Sequence, residues 1–339
     1  MKHYFIANPV AGKGKVRTEL LPKIFAAANA AEIDYVIHRT MNIGDATRIA
    51  QAVCEEEPNE KKRFYACGGD GTLNEVLNGI VGKPNCELAV IPAGTGNDFI
   101  RNFSEPAEAF LDIAAQINGN AVEVDCLKYE FLGGDVNQVG ESFGYAMNMF
   151  NLGFDAQAVV RMSYYKKKPF LKGTGAYIAG VGHELIKLSS VKLEATIEGT
   201  VPSGERTLDE LYLPEGTTVD NPATIEYEGD VLLGGIGNGG FSGGGFHGIP
   251  TAQVSDGLMD VMIIEAVTRR FFISLVGKYQ KGTHFHDDRI KKIMKYYRCK
   301  SATFRPVDKM VFSIDGECVT VGDVRMSVAD EKIKFSLPV

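Results

Sequence analysis

Several features that define familiar protein classes are scarce in this 339-residue sequence. Its six cysteines are widely spread and form no Cys-x-x-Cys pair, which argues against a zinc site and against a disulfide framework. Unpaired thiols are typical of a reducing compartment, so we expect a cytoplasmic protein. No uncharged apolar run is long enough to span a bilayer, and any membrane contact would therefore be peripheral.

An excess of positive charge is also missing. The formal net charge is −7 at pH 7, which does not favour general binding to nucleic acid. The hydrophobic content of 45% and the charged content of 23% are ordinary for a globular protein. The length is sufficient for two domains, each with its own core.

Glycine, by contrast, is abundant and is clustered after predicted strands. The first hundred residues predict strands over 4–7, 35–38, 64–67 and 87–91, and helices over 16–29, over 45–56 and from Phe99 onward. Three of the strands end in Gly-rich turns, which cover residues 8–15, 68–72 and 94–98. Glycines let the backbone approach a ligand, and the first amides of a helix are electropositive, so such turns can bind phosphate. Repeated βα units predict a parallel sheet with these turns along one crevice.

The second turn, Gly68-Gly69-Asp70-Gly71-Thr72, contains a carboxylate that phosphate binding does not explain. Because Asp70 would repel phosphate, a metal ion, a proton or a substrate hydroxyl has to account for it. The structural alternative is a tight turn in which Asp70 caps the helix. The first turn lacks the Walker spacing, and its alternative is a plain turn with solvated lysines.

The pattern changes after about residue 125. Strand-like segments are 122–127, 143–148, 191–198, 211–213, 231–236, 258–264, 303–304, 310–314 and 325–335. Helical spacing is confined to 156–162, 175–188 and 271–279, and the polar residues 199–221 are interpreted as a loop or hairpin. This composition predicts an antiparallel, β-rich second domain after a boundary near Leu127.

Blocks of residues in both halves resemble the diacylglycerol kinase catalytic-domain family, which includes soluble bacterial lipid kinases and the sphingosine and ceramide kinases. In the first half the blocks are Asn8-Pro9, residues 68–76 and residues 92–99. In the second half they are residues 148–156, Gly237-Asn238, residues 243–246, residues 255–260 and Asp315-Gly316-Glu317. Residues 148–156 are similar to the family's NxxGxGxDA segment, with Asn151 where glycine is usual. The blocks occur in order over nearly the whole chain.

The resemblance implies an α/β N-terminal three-layer domain with a parallel sheet, like NAD kinase and phosphofructokinase, over residues 1–127. An all-β, sandwich-like domain over residues 128–327 would bind lipid and contribute to catalysis, and residues from about 328 to 339 would pack back on the first domain. The implied cofactors are ATP and magnesium. The implied partners are a lipid substrate, with diacylglycerol as the leading candidate, and the inner face of the membrane, and the family allows a homodimer.

The resemblance also assigns individual roles. Nucleotide contacts would come from Asn8, Lys15, Thr40, Gly68, Gly69, Asp70, Gly71, Thr72, Gly94, Thr95 and Asn97. The acidic network of the catalytic magnesium would be Asp70, Asp98 and Asp125. Catalysis would use Asp70, Asp315 and Glu317, with Asp315 as the base at the acceptor hydroxyl. A separate structural magnesium would be held by Gln253, Asp256 and Leu258. The alternative for Asp256-Gly257 and for Asp315-Gly316 is a plain turn, because Asp-Gly is a strong turn signal.

Other interpretations remain open on the sequence. A kinase of a soluble acceptor, such as NAD kinase, shares the Gly-Gly-Asp-Gly turn, although Asn74-Glu75 and residues 94–98 are of the lipid-kinase type. A binding protein without turnover is the third hypothesis, and the intact acidic set argues against it. Two basic stretches, residues 166–172 and 291–300, are candidate membrane contacts, although charge runs are usually solvated faces.

Overall fold

A computed structural model describes residues 1–166, 182–185 and 187–339 of the chain. The chain divides into two compact units. The first unit comprises Met1–Cys126, Tyr145–Met147 and Ala329–Val339, and the second comprises Leu127–Gly144 and Asn148–Val328. The basic residues Lys167, Lys168 and Lys172, and most of the helix predicted over 175–188, lie outside the described residues. Within the described part, no helix is long and apolar enough to cross a membrane.

The strands of the described residues are β1 (Lys2–Ala7), β2 (Tyr35–Arg39), β3 (Lys62–Gly68), β4 (Cys86–Pro92), β5 (Asn120–Val124), β6 (Leu127–Phe131), β7 (Phe143–Ala146), β8 (Met149–Gly153), β9 (Val191–Thr200), β10 (Ala223–Gly237), β11 (Phe241–Ser242), β12 (Phe246–His247), β13 (Met259–Glu265), β14 (Met294–Cys299), β15 (Ser301–Pro306), β16 (Met310–Ile314), β17 (Glu317–Val321), β18 (Val324–Val328) and β19 (Ile333–Leu337). The helices are α1 (Leu21–Ala30), α2 (Asp45–Glu56), α3 (Asp70–Ile80), α4 (Ile113–Ile117), α5 (Phe154–Lys166), α6 (Arg206–Tyr212), α7 (Arg269–Gln280) and α8 (Asp288–Lys291).

The first unit is built on a six-stranded sheet in the order β2-β1-β3-β4-β19-β5. The pairs from β2 to β19 are parallel, and β5 runs antiparallel to β19. Every residue of the central strand β3 is buried, which is typical of a parallel sheet that is covered on both faces. Phe5 and Tyr65 stack with ring centroids 4.3 Å apart on one face, where Ile24 of α1 also packs.

A buried arginine of this sheet forms hydrogen bonds with the end of α4. Arg63, in β3, donates to the carbonyl oxygens of Gln116, Ile117 and Gly119 at 2.8–3.1 Å, and its guanidinium also contacts Glu87. The last carbonyls of a helix have no partner within the helix, so the guanidinium satisfies groups that burial would otherwise leave unpaired.

The second unit is built on an antiparallel sheet. Its main path is β17-β16-β8-β10-β9-β15-β18-β6-β7, while β13 pairs with β10 and with β14. The strand β8 lies between β10 and β16 at the centre of the sheet and is buried along its whole length. These two sheets confirm the predicted combination of a parallel α/β domain and a β-rich second domain.

Some predicted elements are wrong in detail. Residues 199–221 are not a loop or hairpin, and 211–213 is not a strand, because α6 forms there. Asp209 accepts from the amides of Ser203 and Gly204 at the start of this segment, and Leu208 is buried in the core of the second unit. The helix predicted from Phe99 is only a short 3₁₀ turn, Phe99–Asn102.

Two further predictions each describe as one element a segment that forms two elements in the structure. The predicted strand 325–335 is two strands, β18 in the second sheet and β19 in the first, with the polar residues 329–332 between them. The predicted helix 16–29 begins with a π turn over Val16–Leu20, and the α-helix starts at Leu21, with Pro22 in its first turn, where a proline costs no helical hydrogen bond.

A partly buried aspartate joins two helices of the second unit. The hydroxyl of Tyr279, in α7, donates to Asp155 Oδ2, in the first turn of α5, at 3.0 Å. Burial raises the pKa of Asp155 to about 6. Next to this contact, the rings of Phe154 and Phe272 pack with centroids 4.6 Å apart, so α5 and α7 are held together by apolar and polar contacts.

We expect Arg63→Met to lower the free energy of unfolding by about 3 kcal/mol, because it leaves three buried carbonyls and the partly exposed Glu87 carboxylate unpaired. Urea denaturation followed by far-UV circular dichroism measures the loss. The control is Arg17→Met at an exposed position, where we expect a change within about 0.5 kcal/mol. Equal effects of the two substitutions would contradict the assigned role of Arg63.

We expect Asp155→Asn to stabilise the protein at high pH only. The folded state raises the pKa of Asp155, so this carboxyl group favours folding below its unfolded pKa near 4, and that contribution is lost as the pH rises through about 6. Asparagine stays neutral, and the variant should gain about 3 kcal/mol relative to the natural chain at pH 8 and almost nothing at pH 3.5. Urea denaturation at both pH values tests this, and a pH-independent difference would refute it.

Candidate functional site

The predicted Gly-rich turns follow neighbouring parallel strands of the first unit. Because β3 pairs with β4 in register from Lys62–Cys86 to Gly68–Pro92, the second and third turns leave the same edge of the sheet. The Ala93 amide donates to the Gly68 carbonyl at 2.7 Å, and the Asn8 amide donates to the Cys67 carbonyl at 3.0 Å. Thr40 follows β2 at the same edge, where its amide donates to the Ala7 carbonyl at 3.0 Å. The structure therefore brings Asn8, Thr40 and both later turns together.

The second and third turns touch through their backbones. A Cβ atom at Gly94 would lie 2.6 Å from Gly69 Cα, and a Cβ at Gly69 would lie 3.1 Å from Gly94 Cα. A Cβ at Gly68 would lie 2.3 Å from Thr72 Oγ1. A side chain at Gly94 would displace the neighbouring turn, one at Gly69 would press against it, and one at Gly68 would collide with Thr72 of its own turn. Such side-chain-free backbone, placed at the start of α3, has the form of a phosphate cradle.

The other residues predicted to contact nucleotide lie in the first and third turns. Asn8 Nδ2 lies 3.5 Å from Thr72 Oγ1. Asn97, at φ 51°, closes the third turn through two hydrogen bonds of 3.1 Å with the Gly94 backbone. Thr95 is exposed at the tip of that turn. Lys15 is exposed in the first loop, and its ammonium lies 4.0 Å from Glu19 Oε1.

Two carboxylates converge on the backbone of the third turn. Asp70 Oδ1 accepts from the Asp98 amide at 2.8 Å. A Cβ atom at Gly96 would lie 2.9 Å from Asp70 Oδ2 and 3.1 Å from Asp98 Oδ2, so both carboxylates approach the same glycine. Arg101 Nε lies 3.5 Å from Asp98 Oδ1 and orients that side chain.

This pair of carboxylates fits a magnesium ion. Carboxylate oxygens are hard donors, and magnesium is commonly held by one or two carboxylates, with water and phosphate oxygens as its other ligands. No group of three or more His, Cys, Asp or Glu side chains suited to a metal occurs within the described ranges.

The structure does not bring Asp125 together with Asp70 and Asp98. Asp125 follows β5, which runs antiparallel to β19, and Val124 pairs with Ile333. Since Phe335 pairs with Leu88, Asp125 lies beside the beginning of β4, about 20 Å of strand away from the turn that follows its end. There Asp125 is buried and contacts Lys332 at 2.8 Å. Its location is that of a structural ion pair.

In the second unit, Asp315 and Gly316 form the tight turn between β16 and β17. Both residues have positive φ, 46° and 93°, which corresponds to the two-residue hairpin that Asp-Gly favours. Asp315 Oδ1 accepts from the backbone amides of Asn148 and Met149, at 3.1 and 3.0 Å. These contacts fix the carboxylate at the start of the central strand β8.

Other blocks of the resemblance meet at the same point. The Asn148 carbonyl accepts from the amides of Asn238 and Gly239, at 2.9 and 3.0 Å. Glu317 pairs with Ile314 across the hairpin, and Glu317 Oε2 accepts from Gln138 Nε2 at 3.0 Å. The structure thus places Asp315 and Glu317 on one turn beside the ends of β8 and β10.

The turn that contains Asp256 and Leu258, which were expected to help hold a structural magnesium, is contacted by cationic side chains. Asp256 Oδ1 accepts from the Leu258 amide at 3.0 Å, and Asp256 Oδ2 contacts the Arg298 guanidinium. The Lys300 ammonium donates to the Gly257 carbonyl. Two cationic side chains therefore occupy the turn, and the carboxylate assigned to the metal is the partner of Arg298.

The sequence did not predict the hydrogen bonds that side chains of α3 form with other elements. Glu75 Oε2 accepts from the Ala46 amide at 3.1 Å, at the start of α2. Asn74 and Asn78 both donate to the Tyr145 carbonyl, at 2.9 and 3.0 Å, and Asn78 Oδ1 accepts from the Tyr145 amide. The four-residue spacing of these asparagines, which places them on one helix face, is a signal that could have indicated their shared partner.

Comparison with known proteins agrees with this geometry over both units. Residues 2–129 match the family model of the diacylglycerol kinase catalytic domain, and residues 148–336 match that of the YegS C-terminal NAD kinase beta sandwich-like domain. A diacylglycerol kinase of Bacillus subtilis is 28% identical over 316 residues, which cover 92% of this chain and 88% of that protein. A diacylglycerol kinase of Staphylococcus carnosus is 26% identical over 324 residues, with coverage of 92% and 87%.

A crystal structure of a diacylglycerol kinase from Bacillus anthracis has the same fold. It superimposes with a TM-score of 0.63 and covers 98% of this chain and 96% of its own, at 20% identity. The two family models together account for nearly all of the sequence, in the order in which the two sheets occur. The resemblance inferred from the motifs is confirmed, and the chain belongs to the diacylglycerol kinase catalytic-domain family of lipid kinases.

Proposed function

We propose that this protein is an ATP- and magnesium-dependent kinase that phosphorylates diacylglycerol to phosphatidic acid. The observation that carries the proposal is the approach of Asp70 and Asp98 to Gly96, beside the glycine cradle of the same sheet edge. Phosphoryl transfer requires a positioned nucleotide, which the glycine cradle is suited to bind. It also requires charge stabilisation at the phosphate oxygens, which a magnesium ion held by the two carboxylates would provide. The names of relatives that align along most of the chain support the choice of diacylglycerol.

The nucleotide role of the first unit follows from its backbone. The glycines at 68, 69 and 94 leave room for phosphate against main-chain amides, and the start of α3 adds the positive end of a helix. Asp70 and Asp98 would hold the magnesium ion, which would neutralise charge on the phosphate oxygens when bound. Arg101 keeps Asp98 oriented toward Gly96.

The acid–base role falls to Asp315. In the proposed reaction the acceptor hydroxyl oxygen forms a bond to the γ-phosphorus, the bond from that phosphorus to the bridging oxygen of ADP breaks, and the hydroxyl proton passes to the Asp315 carboxylate. Two backbone amides fix Oδ1, so the side chain is positioned before the acceptor arrives.

The direct test is incubation with labelled ATP and magnesium against a panel of acceptors. The panel comprises diacylglycerol, a sphingoid base, ceramide, an isoprenoid alcohol, phosphatidylglycerol and NAD. We expect labelled phosphatidic acid as the main product, and no product without magnesium. Preferential labelling of NAD would replace the proposal with a soluble-acceptor kinase, and no labelling of any acceptor would favour a binding protein.

We expect Asp70→Asn to lower turnover about 100-fold and to raise the magnesium concentration for half-maximal rate about 10- to 100-fold. The amide oxygen can still accept from the Asp98 amide, so the turn should keep its geometry while the charge is lost. Activity is measured over a magnesium titration, with circular dichroism as the check on folding. The matched control is Asp34→Asn at an exposed position, and an unchanged magnesium dependence in Asp70→Asn would exclude Asp70 as a ligand.

We expect Asp315→Asn to lower turnover by about 10²- to 10⁴-fold with little change in the KM for ATP, because the variant keeps an acceptor for the Asn148 and Met149 amides but loses the base. The control, Asp308→Asn, changes the same charge at an exposed site of the same unit and should be silent. Turnover near normal in Asp315→Asn would require another base.

A further inference from the structure

The helix α7 has an unusual charge content for this chain. Its sequence, RRFFISLVGKYQ, contains three basic residues and no acidic one, although the chain as a whole has a net charge of −7. Lys281 follows directly. The inner face of the helix buries Leu275 and Tyr279, whereas Arg269, Arg270 and Ile273 are exposed. We call these three exposed residues the α7 face.

The two arginines occupy the end of the helix where positive charge is least favourable. Thr268 caps the helix, and Arg269 and Arg270 follow in its first turn, where the backbone dipole is already positive. Neither arginine forms an ion pair with any residue that the structure describes. Further along, Lys278 contacts Asp287 at 2.6 Å, and so does Arg289 at 2.8 Å, so the charges there are compensated.

The α7 face also exposes an apolar side chain. Ile273 is 57% exposed, one turn after the two arginines. The helix that carries it is anchored on its other side, by the Phe154–Phe272 ring contact and by the hydrogen bond from Tyr279 to Asp155. Ile273 and both arginines therefore lie on a helix that is anchored on its other side. The two arginine charges have no ion-pair partner among the described residues.

The basic stretch 291–300 is a weaker candidate for the same role, because the structure uses most of its charges internally. Lys291 lies 3.7 Å from Asp288, and Lys295 lies 3.8 Å from Glu265. Arg298 contacts Asp256, and Lys300 donates to the Gly257 carbonyl. Most of the positive charges in this stretch are therefore paired with other groups of the protein.

We infer that the α7 face docks the protein on an anionic membrane surface. The guanidinium groups would contact lipid phosphates, and Ile273 would enter the apolar boundary below them, as in helices that lie in a membrane interface. The positive charge of the helix complements an anionic leaflet, and the exposed Ile273 suits the apolar layer directly below that surface, which together favour a membrane as the partner. The inference rests on the proposed function in one respect, since a lipid acceptor resides in the membrane.

The test is sedimentation of the full chain with phosphatidylcholine vesicles, with and without phosphatidylglycerol, in the absence of ATP. We expect binding only to the anionic vesicles. Arg269→Glu combined with Arg270→Glu should weaken it about 25-fold, at a rate of about fivefold for each positive charge removed. The control is Lys192→Glu combined with Lys334→Glu, two exposed lysines elsewhere, which should leave binding within about twofold of the natural chain.

Two further measurements separate docking from folding and from the apolar contact. Because glutamate suits the start of a helix, the double reversal should keep or raise the melting temperature while it weakens binding. Ile273→Ser should weaken binding, whereas Leu211→Ser, at a side chain that is 59% exposed, should not. A double reversal that binds as the natural chain does, or a control pair that weakens binding equally, would overturn the inference, as would equal binding to both vesicle types.

A kinase assay in non-ionic detergent micelles distinguishes failure of docking from failure of the proposed function. There the Arg269→Glu, Arg270→Glu variant should phosphorylate diacylglycerol at nearly the normal rate, because no anionic surface is needed. Loss of micellar turnover in that variant would place the arginines in substrate binding and refute docking as their role. If the natural chain phosphorylates no diacylglycerol, the proposed function fails, and the vesicle result still decides the docking surface by itself.

Discussion

The contact between Gly69 and Gly94 is the constraint on which the rest of the first unit's site depends. The backbones of two successive turns meet so closely that a Cβ at Gly94 would lie 2.6 Å from Gly69 Cα. This approach sets Asp70 against the Asp98 amide and brings both carboxylates to Gly96. Loops this close must be supported, and the support is the in-register parallel pairing of β3 and β4. The two turns therefore continue directly from the centre of the sheet.

Local sequence patterns were sufficient where an element's own periodicity is strong. The helix predicted over 45–56 is found as α2 over Asp45–Glu56, and the alternation of strands and Gly-rich turns indicated the parallel sheet. The patterns failed at α6, a short polar helix whose stability comes from the burial of Leu208 by distant residues. They also failed over 325–335, where a continuous strand-like pattern hid the passage from one sheet to the other. In both cases the deciding contacts are long-range.

The same distinction applies to the site. Asp70 and Asp98 follow neighbouring parallel strands, so their proximity could be expected from the sequence, and the family motif added Asp315. The location of Asp125 could not, because the direction of β5 is set by β19, about 200 residues downstream. Nor could the contact of Asp256 with Arg298, since two segments 42 residues apart have to pair first. A motif carries no information about which of its charges the fold neutralises internally.

The position of β19 has a consequence for how the chain acquires its structure during synthesis. Residues 333–337 lie between β4 and β5, so the sheet of the first unit lacks an interior strand until these residues have been made. The N-terminal 126 residues therefore emerge from the ribosome without a strand that they need, and they expose the facing edges of β4 and β5. Completion of the first unit must await translation of the whole second unit, which makes the nascent chain dependent on protection of those edges.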